Sequence, residues 1–191
     1  AGIFERTTFF IVSDHGFKTV RHQIQPNALF AANGLGDALW SIPEGGTAMV
    51  YATRQQGKAE ALARAQSLLK QVTGVARVLT PAEFAALGYP LPENNSRMAD
   101  LVVAAADGYA FNATAAGDPV VPVAAGASPG THGYLNTEAD MAAIFVASGR
   151  GIRKGATLGT IRNIDVAPTA AKLLGLAFES VDGRVLTEIL R

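Results

Sequence analysis

Residues 7–16 read Thr7-Thr8-Phe9-Phe10-Ile11-Val12-Ser13-Asp14-His15-Gly16 and decide how the chain is understood. The first six are continuously apolar or β-branched. Such a run predicts a strand buried on both faces, as in a parallel sheet sandwiched by helices. It ends in a polar cluster, and in open α/β sheets ligands gather at the carboxyl ends of strands. A carboxylate and a neutral imidazole are standard zinc ligands. Asp14 and His15 can both reach one ion if the chain turns sharply, and Gly16 would permit the turn by accepting positive φ. The competing reading is a turn-capping Asp14 beside an ordinary surface histidine. These residues alone leave both open.

Composition narrows the surroundings. With 191 residues, 49% of them apolar and 17% charged, the chain can bury a real core and is not disordered. Sixteen basic and sixteen acidic residues cancel, which argues against a nucleic-acid-binding surface. There is no cysteine, so disulfides, thiolate ligands and a cysteine nucleophile are excluded. Any metal must be held by Asp, Glu and His, a donor set suited to Zn, Mn or Mg. No apolar run approaches the ~20 residues that span a membrane. No basic leader and no initiating Met precede the first strand, so a segment of a longer protein is expected. No compartment is indicated.

Downstream, residues 17–46 read as loop, with Pro26, Asn33, Gly34, Gly36, Pro43, Gly45 and Gly46. Residues 47–53 alternate like a strand. Residues 58–72 carry Leu62, Ala65, Leu69 and Val72 at helical spacing, with Gly74 as the stop. A strand at 75–79, a short helix at 81–87 opened by Pro81, and a strand at 100–106 follow. Together, 47–106 is expected to form a small α/β subdomain, and 1–46 with 107–191 the core portion. Residues 115–133 read as loop and 141–147 as a second buried strand. A helix is predicted at 163–174, with Asp165 capping it, Pro168 in its first turn and Gly175 after its end. A last short helix is expected at 184–191.

Other polar residues are weaker candidates. His132 sits in Gly130-Thr131-His132-Gly133, where small neighbours let the backbone approach an ion or phosphate; on these residues alone a plain loop histidine is the favoured reading. His22 lies in a polar stretch and reads as surface. Arg150, Arg153 and Lys154 read as a solvated turn, and Gly149-Arg150-Gly151 lacks dinucleotide-loop spacing. Tyr109 and Phe111 read as packing residues.

The ordered motifs carry a family resemblance. Residues 10–17 (FIVSDHGF) resemble the strand-and-metal motif of type I phosphodiesterases and nucleotide pyrophosphatases, in the alkaline phosphatase superfamily. Residues 97–111 (RMADLVVAAADGYAF) resemble the stretch between that family's two metal motifs. Residues 130–149 (GTHGYLNTEADMAAIFVASG) are similar to its later His-Gly motif, and 162–175 (RNIDVAPTAAKLLG) to its closing helix, with Asp182, Gly183 and Leu186 matching its end.

The resemblance implies an α/β fold: an alkaline-phosphatase-like central sheet flanked by helices, lacking its N-terminal strands and carrying a small α/β insert. It implies two divalent metals, Zn2+ with Mn2+ also compatible. Asp14 and His15 match ligands of the metal beside the nucleophile, and His132 matches a ligand of the other. The substrate would be a small-molecule phosphodiester or nucleotide pyrophosphate. The family's Thr or Ser nucleophile lies upstream of its Asp-His-Gly motif, so no catalytic residue is assigned here. The chain is then a C-terminal fragment, inactive alone, whose exposed core is covered by the missing N-terminal half or a second chain. Two alternatives stand beside this: another superfamily member (phosphonate hydrolase, phosphomonoesterase, sulfatase or phosphomutase), or a non-catalytic binding or structural module.

Overall fold

Strands and helices alternate along the chain as β1 (Thr8–Val12), β2 (Lys18–Ile24), α1 (Pro26–Ala32), β3 (Leu39–Pro43), β4 (Thr47–Ala52), α2 (Lys58–Leu69) and β5 (Val75–Leu79). There follow α3 (Pro81–Phe84), β6 (Leu101–Ala105), β7 (Gly108–Phe111), β8 (Val120–Pro122), β9 (Gly130–Thr131), β10 (Phe145–Gly149) and α4 (Val166–Leu174). The computed structural model describes residues 2–127 and 130–191; Ser128 and Pro129 of the expected 115–133 loop lie outside them. The architecture is mixed α/β. Two units are compact in themselves: Gly16–Ala142, and Ala1–His15 with Ala143–Arg191.

In the Gly16–Ala142 unit, one sheet has the order β3-β4-β6-β5, every neighbouring pair antiparallel. β6 is buried throughout, and the period-2 alternation of a strand explains how. Leu101, Val103 and Ala105 enter one apolar cluster, while Val102 and Ala104 enter another. The first cluster takes Ala61, Ala65 and Leu69, the apolar stripe of α2 at i, i+4 and i+8. The second takes Phe84 from α3, fully buried. Full burial of such a Leu or Phe contributes about 1.5–3 kcal/mol. Helices therefore cover both faces of this sheet, and the predicted strands at 47–53, 75–79 and 100–106 are its β4, β5 and β6. The expected 47–106 layer also gains β3, which lies before its boundary.

The second sheet centres on β2. β7 runs parallel to it, with Ile24 opposite Phe111; β8 and β9 are antiparallel, and Lys18 faces Thr131 on β9. The expectation of loop over 17–46 is thus corrected, because that stretch holds β2, α1 and β3. β2 places only Val20 and Ile24 in the interior and spends its other positions on Lys18, Thr19, Arg21, His22 and Gln23, so its hydrophobic signal is thin.

In the other unit, β1 and β10 form a two-stranded antiparallel ladder from Thr8↔Gly149 to Val12↔Phe145. Phe10, Phe145 and Ala147 face a core of Ile152, Leu186 and Ile189, which Leu173 of α4 also joins. The neighbours Phe9, Ile11 and Val146 point the opposite way and are exposed. A parallel strand buried on both faces is therefore not what the described residues form at 8–12. The expected strand at 141–147 begins later, at Phe145, and is only half-buried, while Met141 belongs to a 3-10 turn, Ala139–Met141. The helix expected at 184–191 is reduced to one 3-10 turn, Thr187–Ile189.

Candidate metal centre

β1 hands its chain to the Asp14 turn through a reciprocal contact. Ser13 N–H donates to the Ile144 carbonyl at 3.2 Å, and Ile144 N–H donates to Ser13 Oγ at 3.1 Å. This closes the ladder one step beyond Val12 and releases the backbone at Asp14. The Asp14 carboxylate then folds over its own turn: His15 N–H donates to Oδ1 at 3.0 Å, and Oδ2 lies 3.5 Å from His15 Nε2. The Asp14 side chain is 86% exposed and that of His15 32%. Asn163 Nδ2 donates to the Asp14 carbonyl at 2.7 Å. An oxygen and a nitrogen donor thus lie side by side in an open turn, as two ligands of one divalent ion would.

Gly16 serves this turn differently from expectation. Its φ is not in the left-handed region. What requires glycine is close approach, since a Cβ there would collide with the Asp140 carbonyl, and Gly16 N–H donates to the Met141 carbonyl at 3.1 Å.

His132 follows β9 directly. Its carbonyl accepts the Gly46 N–H at 2.8 Å, and the Gly133 carbonyl accepts Thr47 Oγ1–H at 2.8 Å. Gly133 has φ 75° and sits so tightly on the Glu44 carbonyl that no side chain fits. The exposed His132 ring packs against Phe17, centroids 5.5 Å apart. Asp14 and His15 fall in one compact unit and His132 in the other. Among the described residues, no group of three or more His, Asp or Glu side chains is gathered that could hold a metal. The donor chemistry of the Asp14–His15 pair suits zinc but supplies two ligands, one short of the three protein ligands a catalytic zinc usually takes.

Sequence reading passed over Lys18. Its side chain is 8% exposed, yet Nζ lies 2.5 Å from Asp107 Oδ1, 3.0 Å from Glu138 Oε2 and 3.8 Å from Asp140 Oδ2, and 5.0 Å from the Tyr134 ring centre. The hydrogen bond to Asp107 raises its pKa above the ordinary lysine range despite the opposing effect of burial, with Glu138 adding to the rise. Asp165 goes beyond expectation. At the start of the 163–174 helical segment its buried carboxylate accepts the Arg162 N–H at 3.1 Å in a capping box, as expected, and it also accepts the Arg184 N–H at 2.9 Å, which was not. His22 stacks on Tyr109 at 5.1 Å, and Phe111 is buried.

The family model for type I phosphodiesterase/nucleotide pyrophosphatase matches residues 1–135, a span that takes in both His-Gly turns. This chain belongs to that family. Solved structures similar to this phosphodiesterase-family chain include human ectonucleotide pyrophosphatase/phosphodiesterase 5. That likeness has a TM-score of 0.71 and 20% identity over 99% of this chain and 46% of the other. The murine counterpart, and an inactive form of it in complex with AMP, each give 0.72 at 20% identity over 96% of this chain and 45% of theirs. The chain therefore spans a little under half the length of the structures it matches. No match was found among curated proteins.

Proposed function

We propose that this chain supplies part of a metal-dependent hydrolase that cleaves phosphodiester or nucleotide pyrophosphate bonds. The observation that carries the reading is the Asp14–His15 pair, with carboxylate and imidazole 3.5 Å apart at the end of a strand inside the family-matched segment. Asp14 Oδ2 and His15 would hold one divalent ion, Zn2+ first among the candidates, and His132 would contribute to a second. Bound divalent ions supply Lewis-acid stabilisation of the charge spread over a phosphoryl group. The residues of this chain bind and orient. Ser13 and Asn163 hold the Asp14 turn by its backbone, and the residue 44–47 hairpin holds the His132 loop. The hydroxyl nucleophile belongs to the part of the fold that these 191 residues do not span. A nucleotide is the proposed ligand class, since the murine relative is in complex with AMP.

The test uses the 191-residue protein. Titration with Zn2+ against a chromogenic chelator should show weak binding that Asp14→Ala and His15→Ala each reduce at least tenfold. Cleavage of bis(p-nitrophenyl) phosphate should stay at background. Zinc binding indifferent to both substitutions would remove the basis of the reading, and robust zinc-dependent cleavage would place a nucleophile within these residues.

A further inference from the structure

The Asp14–His15 turn leaves β1 where the ladder ends, so its backbone needs an anchor outside the sheet. The contact that meets the Asp14 main chain comes from 149 residues away: Asn163 Nδ2 donates to the Asp14 carbonyl at 2.7 Å. Asn163 is itself firmly seated. It opens a 3-10 turn, Asn163–Asp165, that runs directly into α4. The buried Asp165 carboxylate at the end of that turn accepts the Arg162 and Arg184 N–H groups. One turn on, Thr169 Oγ1, fully buried, donates to the Asp165 carbonyl at 2.6 Å and accepts the Leu186 N–H at 2.9 Å. These bonds lock residues 162–169 to residues 184–186, and Asn163 projects from the locked segment onto the turn.

Functional geometry is set by the groups that fix a ligand's orientation as well as by the ligand. We propose that Asn163 is a positioning residue for the Asp14–His15 metal pair, acting through the Asp14 carbonyl and held rigid by the Asp165–Thr169 lock. The Asp14 side chain is already tied to its own turn by the His15 N–H, so fixing the carbonyl fixes the direction in which carboxylate and imidazole jointly face. This inference rests on the reading of Asp14 and His15 as metal ligands.

The experiment is a Co2+ titration of the 191-residue protein, read by the visible d–d absorption of the bound ion, beside amide exchange of the metal-free protein. In Asn163→Ala, Co2+ affinity should fall roughly fivefold, the size expected for one lost hydrogen bond. The absorption envelope should shift, amide exchange at Asp14 and His15 should quicken, and the thermal midpoint should stay close to the parent's. Asn163→Gln, which keeps a carboxamide N–H, should recover part of the affinity and of the spectrum. Asp14→Ala and His15→Ala serve as the reference. If they abolish the Co2+ signal while Asn163→Ala and Asn163→Gln bind as the parent does, the positioning role is overturned and the ligand reading survives. If they leave the signal unchanged, or the parent gives none, the ligand reading fails and the inference with it. If Asn163→Ala does not fold, Asn163→Leu, which keeps the shape of the side chain and removes its N–H, decides: weakened Co2+ affinity with quickened exchange at Asp14 and His15 supports the proposal, and parent-like affinity with parent-like exchange overturns it.

Discussion

Lys18 stands at a point where three distant carboxylates converge on one nearly buried ammonium. Lys18→Met nearly keeps the length of the side chain but removes the cation over the Tyr134 ring and leaves Asp107, Glu138 and Asp140 facing one another. Those carboxylates are 85%, 44% and 68% exposed, so water offsets much of the loss. A destabilisation of about 1–2 kcal/mol is expected in urea melts. Because the lysine pKa is raised, its contribution is complete below the unfolded value and is lost only as pH climbs through the folded one. The Lys18→Met deficit should therefore stay flat between roughly pH 6 and 9. Asp165 behaves in the opposite sense. The Arg184 and Arg162 N–H groups hold its carboxyl below the usual carboxylate range, so its contribution is present above the unfolded pKa of about 3.9 and fades as pH falls further. Asp165→Asn can accept only one of the two N–H bonds and should lower the urea midpoint at pH 7; the gap to the parent should narrow at pH 3, and a gap that widens there would contradict this role. At this scale the two His-Gly turns, at His15 and His132, were legible as turns because residue type and a glycine neighbour are local properties; that Asp14, His15 and His132 hold metal is the proposal made above. Lys18 was not legible, because its hydrogen-bonded partners lie 89 and 120 residues away, and only half of the Asp165 role was legible: the Arg162 cap is local, whereas the Arg184 donor is 19 residues on.

Elements in this fold are joined by side chains that stand in for ladder bonds. Asn27, buried on α1, donates from Nδ2 to the Ser41 carbonyl at 2.9 Å and accepts the Ser41 N–H at Oδ1 at 2.7 Å, so α1 is hydrogen-bonded to β3 as a strand would be. Asn27→Ala would orphan a buried N–H and C=O together and should cost about 2–3 kcal/mol, visible as a lower urea midpoint. A smaller case is α3, where Thr80 N–H donates to Glu83 Oε2 at 3.0 Å and the two form a capping box. That helix start was legible, since Pro81 marks a first turn. The strands at 75–79 and 101–105 were legible too, because apolar residues dominate them. β2 and α1 were hidden for a physical reason. β2 lies among three partner strands and draws on backbone pairing with β7, β8 and β9 rather than on an apolar face, and α1 has only seven residues, fixed by Pro26 and Asn27 and not by periodicity.

For the molecule as a whole, the informative residues are those that hydropathy assigns to an interior and the described residues leave in water. Opposite the core-facing Phe10, Phe145 and Ala147, the β1–β10 ladder presents Phe9, Ile11 and Val146, with Ile144 just beyond its end; Ile11, Ile144 and Val146 are each more than half exposed. This is why the run at 7–12 reads as a strand buried twice over: its residues suit two apolar faces, and the described residues cover one. Full burial of an Ile or Val is worth about 1.5–3 kcal/mol, so four such side chains in water form a strongly adhesive patch. The 191-residue protein should therefore bind 1-anilinonaphthalene-8-sulfonate in its folded state and elute from gel filtration earlier as its concentration rises. Ile11→Lys with Val146→Glu places opposite charges on two directly paired positions of that face and leaves the core side untouched. The double variant should lose most of the dye fluorescence and the concentration dependence, with a urea midpoint near the parent's. A parent protein that binds no dye and stays monomeric at every concentration would show that this face is not adhesive. The apolar surplus of residues 7–12 would then need a cause other than burial.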